Sequence, residues 1–476
     1  MLALAIYMIL AVLFYMIAGQ QLRVRADSTD SVSPSVSVGE ILSDMRLEQQ
    51  FTVQSDRFTS FSVLCGTFGR QNSGTLLLEL YEQAGPDEKT LIEAFSVDLS
   101  GLQDNSWYTV QLTRPLENAA GKTMLLEVSA EDSTLGNAVT LYYGDSVSTG
   151  RVEITSEGWT PLLQNGQPLE GTLCLRTTGE TDLWFGRYYW YFAAAAGLLL
   201  ALYFWRLCRL KEKGKTCLGL RLINAFSRYR FLIQQLVSRD FKTKYKRSVL
   251  GIVWSFLNPL LTMLVQYAVF STIFKSDIPN FPVYLLTGIV LFNFFNEACS
   301  MGITSILGNA SLITKVYVPK YIYPVTRVLS SGINMLFSLV PLLLVILLTR
   351  TALTPAILLL PFALACLLCF CTGMVLVLSA SMVFFRDTQF LWNVLSMIWM
   401  YATPIFYPES IIPDRFLIVY KFNPLYHFIR FARTVIMDGV SPEPKAYLIC
   451  LVFAVGSLIL GGLIFRKAQD KFVLYI

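Results

Sequence analysis

Few residues of this sequence have the types and spacing of a catalytic site. The tripeptide Gly-Lys-Thr occurs at residues 121 and 214. A phosphate-binding loop also needs a glycine five positions before its Gly-Lys pair, so that backbone amides surround the phosphates. Those positions hold Leu116 and Arg209. We therefore expect no ATP hydrolysis from this chain alone.

The single histidine, His427, excludes a multi-histidine metal site and disfavours a histidine-based catalytic triad. Carboxylates such as Asp104, Glu127 and Asp145 suit glycoside hydrolysis only at a fixed separation, which a sequence does not show. An acidic surface explains them more simply. The sequence thus predicts no catalytic residue, no metal site and no cofactor bound by this chain.

The composition points to the membrane. The chain has 476 residues with 15% charged side chains, whereas a soluble domain has about 25%. Eight stretches lack Asp, Glu, Lys and Arg and have about the length needed to cross a bilayer as helices. We predict an α-helical polytopic membrane protein with about eight spans. The eight stretches are residues 1–22, 188–205, 248–274, 278–296, 328–349, 351–385, 388–408 and 446–465.

The first stretch has two interpretations, a retained helix or signal anchor and a cleaved signal peptide. No charged region precedes it, and Ala18-Gly19-Gln20 makes a poor cleavage site. These features favour retention.

The charges are divided unevenly along the chain. Residues 26–186 contain 8 basic and 23 acidic side chains, while the remainder contains 30 basic and 10 acidic ones. This division indicates an acidic water-soluble domain on a basic membrane body and disfavours nucleic-acid binding. Residues 206–247 contain 13 basic and 2 acidic side chains, which indicates a cytoplasmic linker. Both termini are then cytoplasmic and residues 26–186 are extracytoplasmic, although Arg23 and Arg25 oppose this orientation.

Residues 26–186 show the pattern of an inserted all-β sandwich. Short runs rich in β-branched and aromatic residues alternate with turn signals such as Asn72-Ser73-Gly74 and Asn165-Gly166, and no long helical period occurs. The predicted strands are Phe58–Cys65, Thr75–Tyr81, Trp107–Leu112, Thr123–Ser129 and Val139–Tyr143.

Two questions about this domain stay open at the sequence level. Trp107, Tyr142 and Trp159 form either a platform for sugar rings or part of the core. Cys65 and Cys174, the only cysteines in the domain, form either a disulfide or two free thiols.

The linker of residues 206–247 ends in an amphipathic pattern. Leu232, Leu236 and Phe241 recur at helical intervals, with charged residues on the other face. This predicts a helix in the inner membrane interface whose basic side chains face lipid headgroups, the alternative being a solvated linker. The residues assigned to this interface helix are Arg239, Asp240, Lys242, Lys244 and Tyr245.

Five segments after the linker carry a recognisable pattern, namely Leu236–Pro259, Asn309–Lys320, Phe384–Asp387, Thr403–Pro408 and Asn423–Leu425. In these segments the sequence resembles the permeases of type-2 ABC exporters for polysaccharides and teichoic acids. The similar segments follow the family's order and cover roughly residues 231–476, with the six-span exporter domain at 248–476. The first 210 residues depart from the family, so their role is not implied by it.

The resemblance implies a homodimer that binds two separate ATPase subunits on its cytoplasmic side. These subunits would bind ATP and Mg²⁺. The resemblance also identifies Asn309–Lys320 as the coupling helix that docks into the ATPase, with apolar side chains as the anchor and lysines beside them. A merely solvated loop is the alternative. The residues assigned to the coupling loop are Asn309, Leu312, Ile313, Lys315, Val316, Tyr317, Pro319 and Lys320.

The segment from Tyr401 to Met437 is rich in proline and aromatic residues. Broken backbone at membrane depth must be buried in protein or face water, and the resemblance implies short re-entrant helices at the outer channel mouth. An interfacial aromatic belt is the alternative. The predicted gate residues are Tyr401, Pro404, Phe406, Tyr407, Pro408 and Tyr426.

The helix expected after the gate carries three basic residues on neighbouring turns, His427, Arg430 and Arg433. We predict that they contact lipid headgroups, with a lipid pyrophosphate or anionic polymer as the alternative.

The resulting hypothesis is the permease subunit of an ATP-driven exporter. It would move a lipid-linked polysaccharide or teichoic-acid-like polymer across the cytoplasmic membrane. The main alternative is a membrane-anchored glycan-binding receptor or scaffold of the cell envelope, which leaves the six further spans unexplained. A membrane-anchored glycosyltransferase would need a catalytic domain that the sequence does not provide.

Overall fold

The computed structural model describes residues 2–32, 34, 36–83, 85, 88–144, 159–213, 218–245, 251–272, 280–315, 318–409 and 420–475. Residues Arg23–Arg187 form one compact unit, and the residues on either side of it form a second unit. The first unit consists mainly of β-strands and the second of helices.

The β unit consists of two antiparallel sheets, which confirms the predicted all-β sandwich. One sheet has the order β1-β13-β4-β9-β12, with β2 also on β9 and β7 also on β4, and the other has the order β11-β10-β3-β8-β5-β6. The strands are β1 (Val24–Asp30), β2 (Val36–Ser37), β3 (Arg46–Thr52), β4 (Arg57–Gly66), β5 (Thr75–Gln83), β6 (Lys89–Asp98), β7 (Ser106–Glu117), β8 (Thr123–Ser129), β9 (Thr140–Gly144), β10 (Leu163–Gln164), β11 (Gln167–Pro168), β12 (Thr172–Leu173) and β13 (Leu175–Asp182).

The core of the sandwich forms where alternating apolar residues of both sheets meet. On β5, Leu76, Leu78 and Leu80 are buried, and they share one cluster with Phe58 and Phe61 of β4. Alternation places every second side chain of a strand on the same face. The period-two pattern of the sequence therefore located these strands well.

Strand β1 escaped prediction because its residues are polar. It pairs with β13 along its whole length, from Val24 opposite Asp182 to Asp30 opposite Arg176. The first and last strands of the unit are thus neighbours in one sheet.

The helices are α1 (Leu2–Arg23), α2 (Trp184–Arg187), α3 (Tyr189–Glu212), α4 (Leu218–Tyr245), α5 (Trp254–Thr272), α6 (Phe281–Ile303), α7 (Ala310–Lys315), α8 (Ile322–Leu348), α9 (Leu360–Phe384), α10 (Thr388–Tyr401), α11 (Pro424–Arg433), α12 (Pro444–Ala468) and α13 (Phe472–Tyr475). In the described part of the chain, six helices are long and apolar enough to cross a membrane, namely α1, α3, α6, α8, α9 and α12.

The other two predicted spans are shorter helices. The predicted span at 248–274 is α5, with Pro259 inside it. The predicted span at 388–408 is the 14-residue α10, which ends at Tyr401 before Thr403-Pro404. Proline has no N–H to donate to a preceding turn, which explains why the helix does not continue to residue 408.

Helices α9 and α12 cross at very close range. A Cβ atom added to Gly373 would lie 2.2 Å from the Ser457 carbonyl oxygen, and one added to Gly461 would lie 2.2 Å from the Gly373 carbonyl oxygen. The Ser457 hydroxyl also donates to the Phe370 carbonyl oxygen at 2.9 Å. Small residues at such crossings let helix backbones approach within a membrane.

Candidate functional site

The predicted coupling loop begins with the short helix α7, and its two described apolar residues differ in exposure. Leu312 has 38% of its surface exposed, whereas Ile313 packs against a buried cluster that includes Leu236, Ile322 and Phe472. Ile313 is half-buried against the protein's own interior, and its role as a docking anchor stays a prediction. Leu312 and the exposed Lys315 remain available to a partner. Val316 and Tyr317 lie outside the described residues.

Both ends of the loop are fixed to the helical unit. The buried Asn309 side chain donates to the Ser305 carbonyl oxygen at 2.8 Å. At the other end, the Lys320 ammonium group donates to the Gln469 carbonyl oxygen at 2.6 Å, and Pro319 between them is half-buried. Hydrogen bonds therefore hold the loop at each of its two described ends.

A buried carboxylate connects α4 with α8. Asp240 has only 7% of its surface exposed, its Oδ1 atom lies 2.8 Å from Arg327 Nη1 and 3.3 Å from Arg239 Nη2, and its Oδ2 atom accepts from the Ser330 hydroxyl at 3.4 Å. Arg239 Nη1 also donates to Asn309 Oδ1 at 3.2 Å. We call Arg239, Asp240, Asn309, Arg327 and Ser330 the Asp240 network.

The position of Asp240 corrects one expectation about the interface helix. The sequence placed its charged residues on a lipid-facing or solvated surface, but Asp240 faces the protein because Arg327 and Ser330 of α8 supply its partners. A carboxylate is stable in an interior only with such partners. The network joins the interface helix, the coupling loop and a long apolar helix.

The rest of α4 also contacts the protein body. Leu236 is buried with Leu232 and Ile233 beside it, and the Phe241 ring lies 5.8 Å from the Phe337 ring. Lys242 is exposed, while the Lys244 ammonium group lies 2.8 Å from Glu297 Oε1. The side chain of Tyr245 lies outside the described residues.

A second polar network surrounds Arg433, near the start of α6. The Arg433 guanidinium group donates to the carbonyl oxygens of Pro404 at 2.7 Å, Ile405 at 3.1 Å and Tyr284 at 3.2 Å, and it lies 3.3 Å from the centre of the Tyr284 ring. We call these residues, together with Gly288, the Arg433 network. With 8% of its surface exposed, Arg433 cannot contact lipid headgroups in this structure, which corrects the prediction.

Local sequence explains why the backbone turns at this place. Asn423 caps α11 by accepting from the Leu425 N–H at 3.1 Å, and Pro424 occupies the first helical position. The same Asn423 side chain accepts from Trp399 Nε1 at 2.8 Å and donates to the Thr403 hydroxyl at 2.9 Å. The Asn423 side chain also donates to the Ala402 carbonyl oxygen at 3.3 Å, so it supplies partners to two backbone groups where the helices are broken.

The predicted gate residues fall into two groups. Tyr401 is 60% exposed, and the Tyr407 hydroxyl donates to its carbonyl oxygen at 2.7 Å. Pro404, Phe406 and Tyr426 are buried and Pro408 is half-buried. The Phe406 ring stacks on Phe270 at 5.6 Å, and the Tyr426 hydroxyl donates to Glu409 Oε2 at 3.0 Å. The buried aromatics stabilise the segment, so in this conformation they present no surface to a sugar.

The two remaining candidates for headgroup contacts also differ. The half-buried His427 has its Nε2 atom 2.8 Å from the Lys421 carbonyl oxygen, and its ring stacks on Phe453 at 5.6 Å. Arg430 keeps 60% of its side chain exposed although it donates to the Tyr426 hydroxyl at 3.0 Å. Among the three predicted headgroup residues, Arg430 is the one with a largely exposed side chain.

The three aromatics of the proposed glycan platform do not come together. Trp107 and Tyr142 pack against the same small cluster of Val32, Leu64 and Cys174. Trp159 instead stacks on Phe51 of the other sheet at 5.4 Å. The Trp107 ring is also covered by the Arg176 guanidinium group at 4.6 Å, and the Tyr142 hydroxyl donates to Asn105. All three rings are half-buried in this packing, and a role in glycan binding stays a prediction.

The cysteines of the β unit are free thiols. Cys174 packs beside Leu64, whereas Cys65 packs into the core on the opposite face of β4. Successive residues of a strand point to opposite faces, so the two sulfur atoms are separated by the sheet. Burial raises the pKa of the Cys65 and Cys174 thiols to about 12, which leaves both protonated and unreactive at neutral pH.

Sequence reasoning missed Tyr284, Glu297 and Arg327, which hold these sites together. Each lies in an apolar helix, and Glu297 marked the end of a predicted span although α6 continues to Ile303. A usable signal was present, because ionisable residues within membrane helices are costly and are therefore retained for a reason.

The helices and their polar networks define a multi-pass membrane protein. The family model described as ABC-2 type transporter matches residues 231–437. An O-antigen export system permease protein (RfbA) from Myxococcus xanthus is 30% identical over 256 residues, which are 53% of this chain and 98% of the relative. A protein of the same name from Klebsiella pneumoniae is 30% identical over 51% of this chain and 93% of the relative.

A polysialic acid transport protein (KpsM) from Escherichia coli is 22% identical over 52% of this chain and 97% of the relative. The chain therefore belongs to the ABC-2 type transporter family, as the sequence motifs indicated. The matched relatives correspond to about half of the chain.

Proposed function

We propose that this chain is the permease subunit of an exporter that moves a lipid-linked polysaccharide or teichoic-acid-like polymer across the cytoplasmic membrane. The observation that carries the proposal is the match to O-antigen export permeases over nearly their whole length. A glycan-binding receptor would not require the C-terminal half of the chain to resemble an export permease.

The energy would come from a separate ATPase, because the sequence lacks a phosphate-binding loop. Two copies of the chain would assemble with two ATPase subunits, each binding ATP and Mg²⁺. The exposed Leu312 and Lys315 provide an apolar contact and a positive charge on a loop fixed at both ends. Movement of this loop would reach α4 and α8 through the Asp240 network.

The orientation follows from the basic linker of residues 206–247. The coupling loop and both termini would be cytoplasmic. The β unit would then lie outside the membrane, on the side where exported polymer emerges.

The test compares cells with and without the chain. Its depletion should remove polymer from the cell surface and leave polymer inside, as measured with a polymer-specific antibody before and after permeabilisation. Normal surface polymer in depleted cells would reject the proposed function.

Coupling is tested with Leu312→Asp. A carboxylate at this exposed position should weaken docking, because an apolar contact is replaced by a charge that must lose its water. We expect export to fall at least tenfold while protein level and membrane insertion stay normal. Ser311→Asp adds the same charge to the same helix at its first turn, where the helix dipole tolerates it, and serves as the control. Equal export by Leu312→Asp and Ser311→Asp would exclude Leu312 as the docking contact.

A further inference from the structure

An open polar cavity lies between apolar helices of the helical unit. Its volume is about 590 Å³, which is within the range of small-molecule sites. Helices α4, α5, α6 and α8 form its walls. The neutral polar side chains that line it are Asn258, Asn293, Asn296, Ser300, Asn334 and Ser338.

The polar residues lie on one face of each helix. On α6, Asn293, Asn296 and Ser300 are three and four positions apart, as required for neighbours on a helix surface. On α8, Asn334 and Ser338 are four positions apart. Amide side chains within membrane helices must find polar partners. A concentration of them around a cavity therefore indicates a ligand that supplies such partners.

The charges at the cavity compensate each other. Lys244 and Glu297 both line it and lie 2.8 Å apart, and Asn334 Nδ2 donates to the same Glu297 Oε1 atom at 2.6 Å. Among the described residues that line the cavity, one positive and one negative charge balance each other. A phosphate group would require uncompensated Arg or Lys, so this arrangement favours a neutral ligand over a phosphate.

The lining suits a sugar ring. Each Asn amide both donates and accepts hydrogen bonds, as neighbouring sugar hydroxyls do. Trp254, which also lines the cavity, is 47% exposed and offers a flat apolar face for the ring. In the described part of the chain, Asn296 Oδ1 is buried and has no hydrogen-bond partner. A hydroxyl group would supply that missing donor once the amide turns toward the cavity.

We propose that this cavity binds a neutral sugar ring of the exported, lipid-linked polymer before translocation. The inference rests on the proposed function and assigns it a loading site. Lys244, in the cavity wall, follows Asp240 by one helical turn on α4, so the site adjoins the network that receives motion from the coupling loop.

The test measures sugar binding to the full chain in lipid nanodiscs by saturation-transfer difference NMR. The probes are decyl β-D-glucopyranoside, decyl β-D-mannopyranoside and decyl β-D-galactopyranoside, and decyl tetraethylene glycol controls for binding of the alkyl chain. At least one glycoside should bind through its ring protons. Asn296→Ala and Asn334→Ala should each weaken it about fivefold to tenfold, because each removes one hydrogen bond to a hydroxyl group.

The matched control is Asn393→Ala, since Asn393 is an exposed amide of α10 outside the cavity wall. Glycoside binding that is equal in all variants, or no stronger than that of the glycol ether, would overturn the inference. Export measurements separate the two proposals. If depletion abolishes surface polymer but the cavity variants bind and export normally, the loading site is wrong while the exporter function stands.

Discussion

The two polar networks bury opposite charges in different ways. In the Asp240 network, a buried carboxylate is neutralised by the guanidinium groups of Arg327 and Arg239 at 2.8 and 3.3 Å. In the Arg433 network, a buried guanidinium group meets backbone carbonyl oxygens and the Tyr284 ring. The first network joins side chains of separate elements, whereas the second holds a turning backbone in place.

This difference leads us to expect different roles for the two networks, movement between elements for the Asp240 network and support of the turning backbone for the Arg433 network. Side-chain pairs can break and re-form when α4 or the coupling loop moves, because water can solvate the Arg239 side chain, which is 45% exposed, and in part the Arg327 side chain, which is 19% exposed. The carbonyl oxygens around Arg433 are buried away from water, although the Pro404 oxygen also accepts from the Tyr284 hydroxyl at 3.3 Å. An unpaired buried acceptor costs about 1–3 kcal/mol. We expect the Asp240 network to be switchable and the Arg433 network to be permanent.

Removal of Arg433 should have the largest effect. Arg433→Leu removes the guanidinium donor from the carbonyl oxygens of Pro404, Ile405 and Tyr284. The Pro404 oxygen keeps the Tyr284 hydroxyl as a weaker donor at 3.3 Å. We expect the free energy of unfolding to fall by about 3 kcal/mol or more, measured as thermal unfolding of the purified protein in detergent. Arg430→Leu removes the same type of side chain from an exposed position of α11 and should change stability little. Equal melting temperatures for the two variants would contradict a supporting role for Arg433.

Loss of Asp240 should lower the free energy of unfolding less than loss of Arg433 does. Its effect on export should be stronger than its effect on stability. Asp240→Ala leaves Arg327 without its carboxylate, and we expect a loss of about 2 kcal/mol because Arg327 is only partly exposed. In a double-mutant cycle, Asp240→Ala combined with Arg327→Ala should recover about 1 kcal/mol relative to the sum of the single variants. Strictly additive losses would show that the two side chains are not coupled.

A change at Gly288 should have the smallest effect and tests how closely Arg433 must approach α6. A Cβ atom there would lie 3.0 Å from both Arg433 Nη2 and Ile405 Cγ2. Gly288→Ala should therefore destabilise the protein by about 1 kcal/mol through crowding, again measured by thermal unfolding. Gly332→Ala is the control on α8, where the nearest atom would be 3.5 Å away. A Gly288→Ala protein as stable as Gly332→Ala would mean that the network tolerates a wider gap.

Local patterns predicted the elements of both units well. Thr123–Ser129 is a strand with the predicted bounds, because alternation and β-branched residues act over a few neighbours. The long apolar stretches became helices for a similar reason. Hydrophobic burial requires only that a residue be apolar, without regard to its partner.

The polar sites were harder to predict because their partners are distant in sequence. Arg433 looks like a surface residue until Pro404 and Tyr284 are brought to it, and Asp240 looks solvated until Arg327 meets it. Whether Cys65 and Cys174 form a disulfide depends on the two faces of β4. Cys65 points to one face, and Cys174 packs against the other beside Leu64. A strand shifted by one residue would have reversed that answer.

The pairing of β1 with β13 has a consequence for how this chain is organised. Val24 lies opposite Asp182, and the Leu183 N–H donates to the Arg23 carbonyl oxygen at 2.7 Å. The polypeptide thus leaves the sandwich beside the place where it entered. A domain with adjoining ends can be inserted into, or excised from, a connection between two helices with only a short splice. We expect the sandwich to be removable by a simple deletion. A variant that joins Arg23 to Leu183 through a tight turn would keep the native distance between the two ends of the chain at which the sandwich begins and ends.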